Sequence, residues 1–139
     1  PVLADDSGLC VDALGGAPGV RSARYGSQDG GKTELSAEEK NALLLRAMEG
    51  RDDRSCRFVC AMTLVLSDYR FVSVQETCEG ELLHVPRGLE GFGYDPVFLV
   101  QEAGLSMAEL PLERKNLISH RGRAARRLLA VLNSLESSP

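Results

Sequence analysis

Two adjacent strand-forming segments in the middle of the chain constrain its fold more than any other feature. Residues 58–66 form an apolar run rich in strand formers, and residues 70–76 alternate between apolar and polar side chains. Ser67 and Asp68, which separate them, are typical turn residues. The pattern therefore predicts an antiparallel hairpin over residues 58–76. Further strands are expected near residues 78–84 and 97–100.

Helical patterns stand on both sides of this hairpin. A capping box at residues 36–39 opens a helix that is expected to end near Gly50. Another capping box, at residues 106–109, is cut short by Pro111. A final helix is predicted from Ser119, with an apolar stripe at helical spacing. The stripe comprises Ala125, Leu128, Leu129, Leu132 and Leu135. This order of elements indicates an α/β or α+β domain.

Length and composition describe one ordinary globular domain. The 139 residues are 43% hydrophobic and 26% charged, which excludes a disordered or fibrous chain. Sixteen basic and twenty acidic residues give a net charge of −4, which argues against a protein that coats nucleic acids. No apolar run approaches the roughly 20 residues of a membrane-spanning helix. We therefore expect a single domain over residues 1–139, with no nucleic-acid partner and no membrane partner.

The cysteines point to a reducing compartment. Cys10, Cys56, Cys60 and Cys78 contain no C-x-x-C pair, so zinc-ribbon and thioredoxin-type sites lack their signature. Small buried thiols are the expected state of such cysteines inside cells. The location that follows is the cytoplasm.

The first candidate site begins where Asp5 and Asp6 follow the apolar residues 2–4. We expect residues 2–4 to end a buried strand, and ligand sites of α/β sheets lie at strand ends. Neighbouring side chains of an extended segment point to opposite sides, so the two carboxylates cannot easily act as a bidentate pair. One or two carboxylates, completed by water and phosphate, suffice for Mg²⁺. The alternative is a polar turn that binds nothing.

The second candidate site is the glycine-rich segment 91–96, Gly-Phe-Gly-Tyr-Asp-Pro. Glycines let the backbone approach a ligand closely. Phe92 offers a face on which a flat base can stack, and Asp95 supplies an acceptor in the same loop. A tight turn around a core aromatic is the alternative.

The third candidate site is cationic. Ser119 fits an N-cap, which places His120 and Arg121 in the first turn of the final helix, with Lys115 shortly before it. Cations at that end oppose the helix dipole, which suggests that they face a ligand. The alternative is an exposed cationic turn. With His84 as the only other histidine, a multi-histidine metal site is excluded.

Together these segments resemble the inosine triphosphate pyrophosphatase family, the house-cleaning nucleoside triphosphate pyrophosphatases. Four blocks carry the resemblance in order, and they span essentially the whole chain. The blocks are residues 4–9 with 11–20 and 22–25, residues 91–98, Lys115-Asn116, and residues 119–124.

The resemblance implies both a fold and a reaction. The fold is an α/β architecture with a mixed twisted sheet flanked by helices, two lobes and a central nucleotide cleft. The reaction is the Mg²⁺-dependent hydrolysis of inosine, deoxyinosine and xanthosine triphosphates (ITP, dITP and XTP). Its products are the monophosphate and pyrophosphate, and the enzyme is a homodimer.

The resemblance also implies a role for each matching residue. Asp6 would be the catalytic base and a metal ligand, Asp5 would support it at the metal, and Ser7 would contact the substrate. The loop that holds base and sugar would comprise Phe92, Gly93, Tyr94 and Asp95. The base would be read by Lys115, His120 and Arg121.

The chain departs from the family pattern at its start. It begins at Pro1 in an apolar segment, without an initiator Met. The family begins with a strand, a Ser/Thr-x-Asn-x-x-Lys loop that holds the triphosphate, and a helix with a metal-binding Glu. The resemblance therefore implies the C-terminal part of the fold, with the N-terminal strand and helix missing. Two other functions stay open, namely a non-catalytic nucleotide-binding or dimerisation module and a nucleic-acid binder that uses the basic residues 114–127.

Overall fold

The sheet has five strands that follow one another in space as they do in sequence. The computed structural model describes residues 1–136. The strands are β1 (Val2–Val11), β2 (Ser55–Ser67), β3 (Arg70–Leu82), β4 (Phe98–Val100) and β5 (Leu105–Ser106). Each described strand pairs antiparallel with the next, where a mixed sheet was expected. With its helices, this sheet makes an α/β domain.

Strand β1 includes the acidic segment that was expected to follow the end of a strand. Asp5, Asp6 and Ser7 pair with Met62, Ala61 and Cys60 in an unbroken ladder that continues to Val11. The predicted strand end after residue 4 is therefore wrong. The long partner strand gives alternate residues of this segment ladder hydrogen bonds, and this outweighs the local turn preference. The first residues of β1 are also exposed and not buried.

The hairpin of β2 and β3 is confirmed, and it is longer than predicted. The two segments expected at 70–76 and 78–84 form the single strand β3. Alternate residues of β2 are buried on one face of the sheet, and they are Cys56, Phe58, Cys60 and Met62. All the core clusters lie on this face, where the helices pack. The buried thiols of Cys56, Cys60 and Cys78 are free, as expected.

The first helix, α1 (Ala37–Ala47), begins at the predicted capping box. Ser36 Oγ accepts from the Glu39 amide at 3.1 Å, and the Glu39 carboxylate accepts from the Ser36 amide at 2.8 Å. Leu44 of this helix and Met48 directly after it pack into the core. The chain turns at Gly50, which has a φ of +73°.

A short helix, α2 (Leu112–Ile118), was not predicted. It begins directly after Pro111, which is its N-cap. The capping box expected at residues 106–109 opens no helix. There the Glu109 carboxylate accepts from the Ser106 amide at 2.7 Å at the end of β5.

The last helix, α3 (His120–Glu136), covers the buried face of β2 and β3. Its buried residues are His120, Ala124 and Leu128, whereas Ala125 and Leu129 of the predicted stripe are exposed. In its first turn, Gly122 packs against Asn116 of α2. Within residues 1–136, none of the helices has the length and apolar character needed to cross a membrane.

Candidate functional site

A pocket of about 850 Å³ lies where β1, α1, the 91–96 loop and the α2–α3 corner meet. Its volume is within the range of about 300–1,000 Å³ that is typical of small-molecule sites. All the predicted site residues except Asp5 and Asp6 line it. These are Ser7, Phe92, Gly93, Tyr94, Asp95, Lys115, His120 and Arg121. The loop and the cationic corner, which are distant in sequence, therefore form one site.

Asp95 organises the 91–96 loop. Its carboxyl is almost fully buried, and Oδ2 accepts from the Phe92 amide at 3.0 Å and from Lys115 Nζ at 2.6 Å. Gly91 has a φ of +80°, and a Cβ at that position would lie 2.3 Å from Asp95 Oδ2. The loop therefore needs glycine there. Its bonds turn the Phe92 side chain outward, where it is 66% exposed.

Tyr94 and Gly93 tie the same loop to the rest of the domain. The buried Tyr94 hydroxyl donates to the carbonyl oxygen of Ser22 at 2.7 Å, and burial raises the pKa of this phenol. The Gly93 carbonyl accepts from Asn41 Nδ2 of α1 at 3.1 Å. These contacts hold the loop from two sides.

Two cations flank the exposed ring of Phe92. Lys115 Nζ lies 4.9 Å from the ring centroid, and the guanidinium carbon of Arg121 lies 5.7 Å from it. Both distances are within the range of cation–π attraction. Arg121 Nε also forms an ion pair with Asp5 Oδ2 at 2.9 Å. An aromatic face with donors beside it suits a flat ligand that carries acceptor oxygens.

His120 presents an uncharged imidazole to this pocket. Its ring stacks on Phe58, with 4.8 Å between centroids and 14° between planes. Burial, followed by the nearby charges of Arg121 and Lys115, lowers the pKa of His120 to about 4. The imidazole is therefore neutral at pH 7, when it can donate from one nitrogen and accept at the other.

Two buried polar atoms on the pocket wall have no protein partner. His120 Nδ1 and Ser7 Oγ make no hydrogen bond within residues 1–136. Both residues line the pocket. A buried polar atom without a partner is unfavourable, so a ligand that bonded to them would relieve that penalty.

The α2–α3 corner places the cations. Ser119 Oγ accepts from the Gly122 amide at 3.1 Å, which confirms the predicted N-cap. A Cβ on Gly122 would lie 1.8 Å from the carbonyl oxygen of Asn116. Only glycine therefore allows the two helices to approach so closely, and this approach brings Lys115 and Arg121 to the same ring.

The carboxylates of β1 do not assemble a metal centre. Asp5 shares a sheet face with Ser7, whereas Asp6 lies on the opposite face, as strand alternation requires. Asp5 is engaged by Arg121, and Asp6 is exposed without a partner among the described residues. No group of three or more acidic, histidine or cysteine side chains in residues 1–136 is placed to hold a metal. Of these two aspartates, only Asp6 has a carboxylate without a protein partner among the described residues. Such a carboxylate suits an Mg²⁺ ion that is bound mainly by phosphates and water.

Lys40, which was not predicted from the sequence, also lines the pocket. This lysine is 7% exposed, and its Nζ lies 3.0 Å from both the Ala23 carbonyl oxygen and Glu34 Oε1. Lys40 precedes Leu44 by four residues, on the buried face of α1. A charged residue in an apolar stripe is a signal that could have found it.

The fold and the pocket define an α/β domain with a cleft of nucleotide size between an aromatic loop and a cationic helix corner. The model of the Ham1 family matches residues 1–131, and the chain belongs to this family. The resemblance seen in the sequence is thereby confirmed.

Named relatives and a solved structure agree with this family. The chain is 57% identical over 124 residues to the dITP/XTP pyrophosphatase of Treponema denticola, covering 89% of this chain and 63% of that protein. It is 49% identical over 136 residues to the dITP/XTP pyrophosphatase of Treponema pallidum, covering 98% of this chain and 49% of that one. The Ham1 protein of Staphylococcus aureus superposes with a TM-score of 0.88 at 39% identity, covering 96% of this chain and 67% of that one. The α/β class is confirmed, and the chain spans about half to two thirds of the length of these curated relatives.

Proposed function

We propose that the protein hydrolyses ITP, dITP and XTP to the monophosphate and pyrophosphate, and so removes them from the nucleotide pool. The observation that carries the proposal is the exposed ring of Phe92 with Lys115 and Arg121 beside it, in a pocket that the neutral His120 also lines. The relatives named dITP/XTP pyrophosphatase support the same substrate class.

Selectivity would come from the donors of this pocket. The side chains of Lys115 and Arg121 only donate, so they suit the 6-oxo oxygen of hypoxanthine or xanthine. Adenine carries an amino group at that position, and the donors would then be left unpaired. An unpaired buried polar group costs about 1–3 kcal/mol, which would favour the oxo purines.

Asp6 is our candidate for the catalytic base. It stands next to Ser7 on β1, and its carboxylate is free to accept the proton of the water that attacks the α-phosphorus. The same carboxylate would hold Mg²⁺, together with phosphate oxygens and water. When bound, Mg²⁺ would neutralise charge that develops on the phosphates.

We further propose that the protein is a cytoplasmic homodimer. Val2, Val65 and Phe71 form one row across three strands and are 66%, 42% and 66% exposed. A second copy could cover this apolar row, and the free thiols suit a reducing compartment. Sedimentation of the unaltered chain and of Phe71→Ser tests this, since only the unaltered chain should dimerise.

The proposed activity is tested by pyrophosphate release from ITP and from ATP in the presence of Mg²⁺. We expect ITP to be preferred and Asp6→Asn to reduce turnover at least about 100-fold, as is typical for loss of a general base. Asp68→Asn, an exposed carboxylate in the β2–β3 turn, is the matched control and should hydrolyse ITP normally. Equal rates for Asp6→Asn and the unaltered chain would refute the assigned role.

The placement of the carboxylates favours a second function, a module that binds the nucleotide without hydrolysing it. Neither Asp5 nor Asp6 lines the pocket. This module would bind inosine monophosphate (IMP) yet release no pyrophosphate from ITP at any Mg²⁺ concentration. Turnover of ITP by the chain would eliminate it.

A further inference from the structure

Arg121 is held beside the Phe92 ring by an acidic residue of a different element. Asp5 of β1 engages Arg121 Nε at 2.9 Å. The terminal nitrogens of Arg121 make no hydrogen bond to any other residue that the structure describes. The ion pair therefore secures the inner end of the guanidinium and leaves its outer nitrogens available to a ligand.

The position of Arg121 in α3 explains why an anion is needed there. Arg121 lies in the first turn of the helix, where the helix dipole disfavours a cation. Strand alternation puts Asp5 on the same sheet face as Ser7, whose side chain lines the pocket. Asp5 can therefore offset the dipole and direct the guanidinium toward the pocket.

The second cation beside the ring is held in the same way. Asp95 binds Lys115 Nζ at 2.6 Å, so each cation next to Phe92 has its own carboxylate. The Asp95 pair is buried, whereas the side chains of Asp5 and Arg121 are 37% and 47% exposed. Breaking the exposed pair should leave the fold intact, so its contribution to binding can be measured separately.

We propose, on the basis of the function proposed above, that Asp5 is a positioning residue. It holds Arg121 beside Phe92 so that the terminal nitrogens can donate to the oxo group of the purine. It does not act as a metal ligand, because its carboxylate is already committed to Arg121. This role differs from the metal role that the family resemblance implied for Asp5.

The experiment measures IMP and adenosine monophosphate (AMP) binding by calorimetry, without divalent metal, on the full chain. The variants are Asp5→Asn, Asp5→Glu, Arg121→Gln and the Asp5→Asn/Arg121→Gln double variant. The control is Glu102→Gln, which removes the same charge from an exposed ion pair with Arg123. Thermal melts of every variant accompany the titrations.

We expect Asp5→Asn to raise the Kd for IMP about tenfold and to reduce the preference for IMP over AMP. The melting temperature should shift by less than about 4 °C, since the pair is exposed. Asp5→Glu should recover most of the affinity. The double variant should bind no more weakly than Arg121→Gln, because Asp5 acts through Arg121. Glu102→Gln should bind IMP normally.

An Asp5→Asn variant that binds IMP as tightly as the unaltered chain overturns the inference and leaves the proposed function standing. Additive losses in the double variant also overturn it. If the unaltered chain binds no IMP, the proposed function fails, and the inference fails with it. Mn²⁺ titrated into the IMP complex tests the metal alternative, since weaker Mn²⁺ binding by Asp5→Asn would make Asp5 a metal ligand.

Discussion

The two carboxylates that hold the cations beside Phe92 lie in contrasting surroundings. The Asp95 side chain is 5% exposed and bonds both Lys115 and the loop backbone, whereas the Asp5 side chain is 37% exposed and meets only Arg121. Breaking the buried Asp95–Lys115 pair leaves an unpaired charge inside the protein, which is costly. Breaking the exposed Asp5–Arg121 pair lets water solvate both charges. We infer that the loop side of the pocket supports the fold, and that the β1 side is free to serve the ligand.

The largest expected effect is on the loop side. Asp95→Ala should lower the free energy of unfolding by about 3–5 kcal/mol, because Lys115 loses its partner while it stays mostly buried. Urea denaturation measures this. Asp5→Ala is the matched change on the other side and should cost at most about 1 kcal/mol. Similar losses for the two variants would remove the contrast.

The next effect is a dependence of stability on pH. The pKa of His120 is about 4 in the folded protein, below the ordinary value of 6.5, so between these values only the unfolded chain takes up the proton. The stabilisation that follows from keeping His120 neutral is therefore complete above pH 6.5, and it falls by roughly 3 kcal/mol as the pH drops toward 4.

Denaturation at several pH values checks this prediction about His120. In His120→Asn this part of the slope should disappear. The exposed His84 provides the control, because His84→Asn should keep the slope of the unaltered chain. A slope that survives in His120→Asn would show that other groups cause it.

A smaller effect on stability, with a clear effect on binding, is expected at Phe92. Phe92→Leu should weaken IMP binding about tenfold, since base stacking on an aromatic ring contributes about 1–3 kcal/mol. The free energy of unfolding should change little, because the ring is 66% exposed. Leu89→Ala changes a fully exposed apolar residue nearby and should leave both quantities unaltered. A loss of stability in Phe92→Leu would show that this ring, like Asp95, stabilises the fold.

Much of the fold followed from local patterns. The alternation in residues 70–76 predicted the hairpin, and the capping box at Ser36 predicted the start of α1, because both signals act within a few residues. The extension of β1 through Asp5 and the helix α2 were missed. The first depends on the partner strand β2, which is about 50 residues away in sequence, and the second on the corner that Gly122 makes with α2.

The site divides in the same way. The chemistry of the 91–96 loop and of Lys115, His120 and Arg121 was evident from residue types. Lys40 was missed, since its burial against the Ala23 carbonyl depends on a contact between separate elements. The rotation of α3 was misjudged as well, and the exposed Ala125 lines the pocket instead of filling the core.

The sequence by itself determined the hairpin, the capped helix and the residue types of a nucleotide-like pocket, because propensity, capping and side-chain chemistry are local. It also predicted that Asp5 and Asp6, as neighbours in an extended segment, point to opposite sides. Only the tertiary structure decided which of them meets Arg121. The partner of Arg121 is the aspartate on the face of β1 that the core and α3 cover. Strand alternation alone cannot identify that face, because it would be the same if Asp6 were the partner.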